Sequence, residues 1–587
     1  MKPSPAAATL TPPTLSRRTL LGGLGAGSLV ALAALPRRAF GMPVFDLTRL
    51  VPQTVVELTI EETDLEFGGI RRKAKTINGT VPGPTLCFHE GDAVTVRVTN
   101  KLSEDTSIHW HGLKVPANMD GVPGVSFAGI KPGDSFEYRF TVQQSGTYWY
   151  HSHSGLQEPE GMYAPLVILP RHRDPFQFDR DYAILISEWT PDAPPAVYRN
   201  LKKIDGYYNY HKRTLIDFYR ELQNAPDNAA RRRVMDERLA WMRMRMDPTD
   251  LSDGPEDTVF LLQGNDADQN YTALFEPGER VRLRLINGTA LTFMDVRIPG
   301  LRMTVVQADG QNIEPVVVDE LRIGNGETYD VIVQPYEMRA YPIVAEAMAR
   351  TGMALGTLAP RAGMRAEAPP LRERPLRTLA DMAGHTGHGE ASGVAPAATG
   401  PHAGPGAKTA PTGATDPHAG HDMPMVMGDT MQPAHAMPPA AQSAYRKLSY
   451  ADLRSLASSH ESAEAPLEVG VRLTGVMWRY IWTLNGEKLG EAQPVKLKRG
   501  QRVRLSMVNE TMMEHPMHLH GFFARLVNGQ GDRGALKHTF IVNPGQTVVA
   551  DFTADEAGAW VFHCHLFYHA MAGMGMAFLV DGLPARS

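Results

Sequence analysis

One ten-residue pattern occurs three times in the chain and constrains its fold more than any other feature. The copies are Gly91–Asn100, Gly278–Asn287 and Gly500–Asn509. Each copy begins at a glycine, alternates apolar with polar side chains and ends at an asparagine, which is the pattern of a half-buried strand entered through a turn. Three copies in 587 residues predict three related β-domains. Short strands between Pro/Gly turns are typical of Greek-key sandwiches.

Histidines distinguish the first and third copies from the second. His109 follows Gly91 by 18 residues, and His518 follows Gly500 by the same interval. The residue at that offset in the middle copy is Val296. We therefore expect domains one and three to carry metal ligands and domain two to act as a spacer.

Four His-x-His pairs point to a metal cluster. Residues i and i+2 of a strand share a face, so each pair offers two imidazoles in one direction. Eight imidazoles exceed the needs of one ion, since copper sites use about four ligands. The sequence predicts a multinuclear cluster between domains one and three, because each supplies two pairs. The pairs are His109/His111, His151/His153, His518/His520 and His563/His565.

A second metal site is predicted on the same strand as the last pair. Cys564 lies between His563 and His565, so on a strand its thiol points to the opposite face. His569 and Met574 follow within ten residues. A thiolate with imidazoles and a weak axial thioether is the ligand set of a blue-copper electron-transfer site. One strand would therefore touch two metal sites, with Cys564 as the residue through which electrons pass.

These motifs resemble the four copper-binding motifs of the multicopper oxidases, whose domains are cupredoxin-like. The resemblance rests on His109–Gly112, His151–His153, His515–Gly521 and His563–Met574. It implies four copper ions. The implied ligands are His515, Cys564, His569 and Met574 for type 1 copper, His109 and His518 for type 2, and His111, His151, His153, His520, His563 and His565 for the type 3 pair. Domain order, the Tyr207–Thr214 segment and a Met/His-rich linker are similar to the periplasmic copper-resistance protein A group.

Oxygen reduction also needs protons, and Asp120 is the candidate for their delivery. It lies eleven residues after His109, in Met119–Pro123, where the family places a carboxylate beside the cluster. The alternative is an ordinary Asp-Gly turn residue. The family often has a glutamate just before the second type 1 histidine, but this chain has Tyr568 there. Glu514, the nearest carboxyl in sequence, is assigned no role.

The N-terminus predicts export. Ser16–Leu21 is a twin-arginine motif, followed by an apolar run from Leu20 to Leu35 that is short for a membrane span. We expect a signal peptide over residues 1–41 and a periplasmic mature chain with no transmembrane segment. A formal net charge of −5 gives no reason to expect nucleic acid as a partner. With Cys564 on a metal, Cys87 has no disulfide partner.

The predicted domains are 45–170, 171–345 and 451–587. The sequence of residues about 195–250 predicts a helical insert in domain two. Residues 346–450 form a low-complexity Met/His/Pro/Ala linker that cannot bury a core and is expected to be disordered. Thioethers select Cu(I), so the linker offers accessory copper ligands unless it is a passive tether. These ligands are Met423, Met425, Met427, His418 and His421.

The preferred function is oxidation of Cu(I) to Cu(II), coupled to reduction of dioxygen to water, in copper tolerance. The alternative enzyme is a laccase-like oxidase of phenols. An alternative of another class is a periplasmic copper-sequestration protein in which the linker is the functional part. The expected partners are dioxygen and Cu(I) or a small phenol, and the protein is expected to be monomeric.

Overall fold

The computed structural model describes residues 46–49, 52–204, 206–379, 381, 445–459 and 466–582. Six β-sheets form three two-sheet sandwiches of the cupredoxin type, as the repeat predicts. The predicted signal peptide lies outside the described residues, and so do the accessory ligands Met423, Met425, Met427, His418 and His421.

The first sandwich contains eight strands. One sheet has the order β2-β1-β4-β6 and the other has the order β3-β8-β7-β5. The strands are β1 (Val55–Phe67), β2 (Ile70–Ile77), β3 (Leu86–His89), β4 (Ala93–Asn100), β5 (His109–His111), β6 (Ser135–Thr141), β7 (Gly146–His151) and β8 (Tyr163–Leu169).

The second sandwich contains eleven strands, in the orders β10-β9-β12-β17-β14-β15 and β11-β19-β18-β13-β16. The strands are β9 (Arg180–Trp189), β10 (Val259–Leu262), β11 (Tyr271–Leu274), β12 (Val281–Asn287), β13 (Met294–Arg297), β14 (Met303–Ala308), β15 (Gln311–Val318), β16 (Glu320–Ile323), β17 (Thr328–Val333), β18 (Tyr341–Ala347) and β19 (Met353–Ala359).

The third sandwich also contains eleven strands, in the orders β21-β20-β23-β28-β25-β26 and β22-β30-β29-β24-β27. The strands are β20 (Leu467–Val476), β21 (Ile481–Leu484), β22 (Val495–Leu497), β23 (Arg502–Asn509), β24 (His515–Leu519), β25 (Ala524–Leu526), β26 (Leu536–Lys537), β27 (Thr539–Val542), β28 (Thr547–Thr553), β29 (Gly558–Cys564) and β30 (Gly575–Val580).

The repeated pattern forms the same strand in each sandwich. These strands are β4, β12 and β23, and each pairs in parallel with the first strand of its sandwich. The closing asparagine is buried each time and donates a hydrogen bond across the sandwich, from Asn100 to Ile130 O at 2.8 Å, from Asn287 to Ile323 O at 2.9 Å and from Asn509 to Val542 O at 2.8 Å. The asparagine of the repeat therefore places its own buried amide group on a backbone carbonyl at the same point of each sandwich, as a buried polar group requires.

Three helices lie between β9 and β10, where the sequence places a helical insert. They are α1 (Pro194–Leu201), α2 (Leu215–Asn224) and α3 (Asn228–Met244). Helix α2 begins with a capping box, in which Thr214 and Asp217 exchange hydrogen bonds, and Asp227 caps α3. These side chains satisfy amides that a helix start leaves free. A short helix, α4 (Phe567–Met571), follows β29.

The linker begins later than the sequence analysis placed it. Strand β18 runs to Ala347, and β19 pairs with it antiparallel, so the boundary at residue 345 is wrong. Strand β19 reads Met-Ala-Leu-Gly-Thr-Leu-Ala, and its small residues resemble the composition of the linker. No helix among the described residues is long and apolar enough to cross a membrane.

Candidate metal centres

Two strand pairs carry the eight paired histidines to one junction. In the first sandwich β5 pairs with β7, which places His109 opposite His151. In the third sandwich β24 pairs with β29, which places His518 opposite His563. The two sandwiches meet at these strand pairs, where the His109 and His520 rings stack with their centroids 4.0 Å apart.

The eight rings form three groups whose ligand atoms lie within 4.8 Å of one another, and His111 belongs to two of the groups. The groups are His109, His111 and His518, then His111, His151 and His565, and finally His153, His520 and His563.

The rings fit a metal cluster because several of the nitrogens that face one another have no hydrogen-bond partner among the described residues. His109 Nε2, His111 Nδ1, His151 Nε2 and His518 Nε2 are buried without a hydrogen bond among the described residues. Buried polar atoms are nearly always paired. Burial holds the pKa of His111, and of the other rings with resolved shifts, below the usual value. Neutral imidazoles are the form that binds a metal.

The outer nitrogens of the rings are held by the protein. Asp120 Oδ2 accepts a hydrogen bond from His520 Nδ1 at 2.9 Å, and the Asp120 carbonyl accepts one from His109 Nδ1 at 2.8 Å. His518 Nδ1 donates to the His538 carbonyl at 2.9 Å. Such bonds fix the tautomer and the ring orientation of metal ligands. Asp120 therefore contacts two groups of the cluster and is more than a turn residue.

A second centre lies on the other face of β29. Cys564 Sγ lies 3.5 Å from His515 Nδ1 and 3.9 Å from His569 Nδ1, and the two nitrogens are 3.2 Å apart. All three side chains are buried, as is Met574. Burial raises the pKa of the Cys564 thiol, so the thiolate forms when a cation takes the place of the proton.

The connection between β9 and β10 contacts this centre through Asp253, which lies in the loop after the helical insert. Asp253 Oδ2 accepts hydrogen bonds from His569 Nε2 at 3.0 Å and from the Tyr480 hydroxyl at 2.7 Å. The Asp253 side chain is 14% exposed, so it joins a buried metal ligand to the surface. Asp253 was not predicted, because no local sequence pattern marks a contact that spans 316 residues.

Glu158 supplies a carboxyl beside the cluster, although Tyr568 stands where the family often has a glutamate. Glu158 Oε2 lies 2.7 Å from His151 Nδ1, and burial raises the pKa of Glu158 to about 7. Glu514 instead forms a buried two-bond pair with Arg377, at 3.0 and 2.6 Å, which fits its lack of an assigned role. The sequence signal for Glu158 was its place five residues after the second His-x-His pair.

A cavity of about 240 Å³ reaches the cluster from the surface. His151, His153, His563 and His565 line it together with Glu158. Met571, another lining residue, is 40% exposed. The cavity is large enough for a small molecule to approach the ligand atoms.

Known proteins carry the same domains. Models described as multicopper oxidase match residues 59–173, 180–362 and 464–583. Copper resistance protein A of Escherichia coli is 42% identical over 95% of this chain and 98% of that protein. A copper resistance protein A homolog of Pseudomonas syringae pv. tomato is 43% identical over 96% and 98%, and multicopper oxidase MmcO of Mycobacterium tuberculosis is 30% identical over 95% of each chain.

Solved structures share the fold. Fet3p, described as a multicopper oxidase that functions in iron import, aligns with a TM-score of 0.63 over 90% of each chain at 19% identity. The laccase of Botrytis aclada aligns with a TM-score of 0.61 over 92% of this chain and 91% of that one, at 21% identity. The full-length relatives and the three matching models show that this chain belongs to the multicopper oxidase family, in the group of copper resistance protein A.

Proposed function

We propose that this chain oxidises Cu(I) to Cu(II), passes the electrons to dioxygen and acts in copper tolerance. Four Cu(I) ions, one dioxygen and four protons give four Cu(II) ions and two waters. The family relationship supports an oxidoreductase that uses oxygen. The names of the relatives from Escherichia coli and Pseudomonas syringae support the link to copper resistance.

Two centres with four copper ions would fit the ligand groups of the structure. When bound, copper would take single electrons at the Cys564 centre and reduce dioxygen at the histidine cluster. We assign His515, Cys564, His569 and Met574 to type 1 copper, His109 and His518 to type 2, and His111, His151, His153, His520, His563 and His565 to the type 3 pair.

The protein connects the centres through one strand. Cys564 is bonded to His563 and His565, whose Cα atoms lie about 3.8 Å from its own, so electrons have a short covalent path. Asp120 would hold protons at its carboxylate beside His109 and His520. Glu158 would do so beside His151, and the cavity that it lines would admit dioxygen.

A cluster of methionines is the observation that favours Cu(I) over a phenol as the reductant. Met244, Met246, Met477 and Met512 pack around Trp241, and thioethers select Cu(I). Met246 is buried and the other three are half-buried. They are drawn from the helical insert and from two segments of the third sandwich.

Two residues of this methionine cluster lie close in the chain to groups that contact the Cys564 centre. Met512 follows Thr511, whose hydroxyl lies 2.6 Å from His515 Nε2. Met477 begins the turn that ends at Tyr480, and the Tyr480 hydroxyl binds Asp253. The cluster is therefore linked to both histidine ligands, through Thr511 to His515 and through Tyr480 and Asp253 to His569. A Cu(I) ion held by these thioethers would have a route for its electron through these contacts.

Oxygen uptake with two reductants tests this proposal. Replacing Met244, Met477 and Met512 with leucine keeps the volume but removes the soft donors. We expect oxygen uptake with Cu(I) to fall roughly ten-fold or more, about 1.4 kcal/mol in the barrier, while uptake with a phenol stays unchanged. Met338→Leu is the control, since Met338 is an exposed methionine outside the cluster.

The opposite result identifies the alternatives. If both reductants are oxidised as before, the methionine cluster is only packing and a laccase-like function gains support. If wild-type protein binds copper but oxidises Cu(I) no faster than the Cys564→Ser variant, sequestration is the function. Deletion of residues 380–440 then shows whether the linker carries it, because loss of copper tolerance with oxidation intact would assign tolerance to binding.

We further propose a periplasmic location reached by the twin-arginine route. The motif Ser16–Leu21 supports it. Substituting both Arg17 and Arg18 with lysine should leave the protein in the cytoplasm, which fractionation measures.

A further inference from the structure

A buried ionic triad joins the second sandwich to the third. Lys537 Nζ lies 3.0 Å from Asp309 Oδ2 and 2.9 Å from Glu327 Oε1, and none of the three side chains is exposed. Glu327 also accepts a hydrogen bond from the Tyr450 hydroxyl at 2.6 Å. Removing three charges from water costs free energy, so a triad at this place calls for a structural reason beyond stability.

Asp309 holds a segment of the third sandwich as well as its lysine. It lies in the tight turn between β14 and β15, with a φ of 47° before Gly310. Its Oδ2 accepts hydrogen bonds from the amides of His538 at 3.1 Å and Thr539 at 3.0 Å. One carboxylate of the ligand-free domain therefore binds three consecutive residues, 537–539, of the copper-binding domain.

That segment in turn holds two rings of the cluster. The His538 carbonyl accepts the hydrogen bond from His518 Nδ1. The Thr539 hydroxyl lies 3.2 Å from His518 Nδ1 and 3.3 Å from His111 Nε2. The His111 and His518 rings stack with their centroids 3.7 Å apart. The free nitrogens of these rings are His111 Nδ1 and His518 Nε2, which belong to one ligand group.

A second turn of the same domain packs directly on the cluster. A Cβ at Gly326 would lie 2.9 Å from His565 Cδ2 and 3.0 Å from His111 Cε1. Its neighbour Glu327 is the second carboxylate of the triad. The second sandwich therefore contacts the histidine cluster directly at the Gly326 turn and indirectly, through residues 537–539, at the Asp309 turn. Lys537 binds a carboxylate from each turn.

We propose that Asp309 is a positioning residue of the copper cluster. Through the amides of His538 and Thr539 it fixes the rings of His518 and His111, so the second sandwich sets the ligand geometry although it supplies no ligand. This proposal rests on the assignment of those histidines to copper, which is part of the proposed function.

The test is Asp309→Asn in the full-length, copper-loaded protein. Asparagine keeps the size of aspartate but loses its charge. Its amide can accept hydrogen bonds from Lys537, His538 and Thr539 only through its oxygen, and the neutral oxygen holds them less strongly. We expect the type 2 copper to be held more weakly, by up to the roughly 10- to 100-fold that loss of a direct partner of a metal ligand causes, because Asp309 acts on His518 through His538 and Thr539. Its electron paramagnetic resonance signal should shift, while the blue type 1 absorption stays.

Asp295→Asn is the matched control. Asp295 is a buried aspartate of the same sandwich that pairs with Arg322 and Arg350, each at 2.8 Å, and it has no such bond to the cluster. It should lose stability but keep the wild-type copper content and type 2 signal. Wild-type signals in Asp309→Asn, or equal shifts in both variants, overturn the inference.

If Asp309→Asn fails to fold, Thr539→Val and Thr539→Ser provide a second test of whether residues 537–539 position the rings of His518 and His111. Serine keeps the hydroxyl between His518 and His111, and valine removes it. The valine variant should shift the type 2 signal and the serine variant should not, and absence of any difference overturns the inference. Failure of wild-type protein to bind four coppers would instead count against the proposed function.

Discussion

The buried carboxyl of Glu188 predicts how the stability of the protein depends on pH. Its side chain is buried next to Arg72 and Glu158, and its Oε1 accepts a hydrogen bond from the amide of Ala290 at 2.9 Å. Burial raises the pKa of Glu188 to about 8. The folded protein therefore keeps this carboxyl protonated at pH values where the unfolded chain ionises it. Replacing Glu188 with glutamine provides a neutral side chain that still accepts the bond from Ala290.

The sign and size of the effect follow from linkage. Between the unfolded pKa of 4.5 and the folded pKa of about 8, the folded state binds more protons than the unfolded state, so stability falls as pH rises. Each pH unit in this range costs about 1.4 kcal/mol, so Glu188 should lower the free energy of unfolding by about 4 kcal/mol between pH 5 and pH 8. The glutamine variant lacks this loss, so its stability relative to wild type should rise by that amount.

Denaturant unfolding of the copper-free protein at pH 5 and pH 8 measures the difference. Copper-free protein is used because copper uptake itself depends on pH. Glu337→Gln serves as the control, since Glu337 is a glutamate of the same sandwich whose side chain is 67% exposed, and its relative stability should not change with pH. The reasoning is refuted if the stability difference between Glu188→Gln and wild type is the same at both pH values.

Three further predictions follow from other contacts. Cys564→Ser should abolish the blue colour and the oxidation of Cu(I) while copper remains in the histidine cluster, which absorption and metal analysis check; a variant that stays blue contradicts the type 1 assignment. Arg377→Met leaves the buried Glu514 unpaired and should cost about 3–5 kcal/mol of stability, most of which Arg377→Met with Glu514→Gln should restore. Because burial raises the pKa of the Cys564 thiol, copper binding should release a proton and tighten as pH rises; titration with a pH indicator measures this, and uptake without proton release would contradict it.

The fold and the two ligand groups were predictable because both rest on local periodicity. Three copies of one strand pattern predicted three sandwiches, and the two-residue period of a strand separated Cys564 from His563 and His565. The buried asparagine that closes each copy was visible as a repeat, although its hydrogen bonds across the sandwich were not.

Apart from Asp120, the residues that hold the ligands in place were not predicted from the sequence. Asp253 and Asp309 act through contacts with another domain, and no spacing rule marks such contacts. Glu158 contacts His151 of its own domain, and its place five residues after a His-x-His pair was a signal that was not used. Domain two was expected to be a spacer, because position 296 carries valine where the other copies carry histidine. The structure shows that this domain instead reaches the cluster through Asp309 and Gly326.

The strand β29 also limits how the family can change. Cys564 and its two histidine neighbours serve different centres only because side chains alternate along a strand paired in fixed register with β24. Inserting or deleting one residue there would turn the thiol toward the histidine cluster and the imidazoles away from it, since a one-residue slip reverses every side chain. A change of length that keeps both centres must therefore lie outside β29, for example in the connection between β9 and β10, which holds three helices.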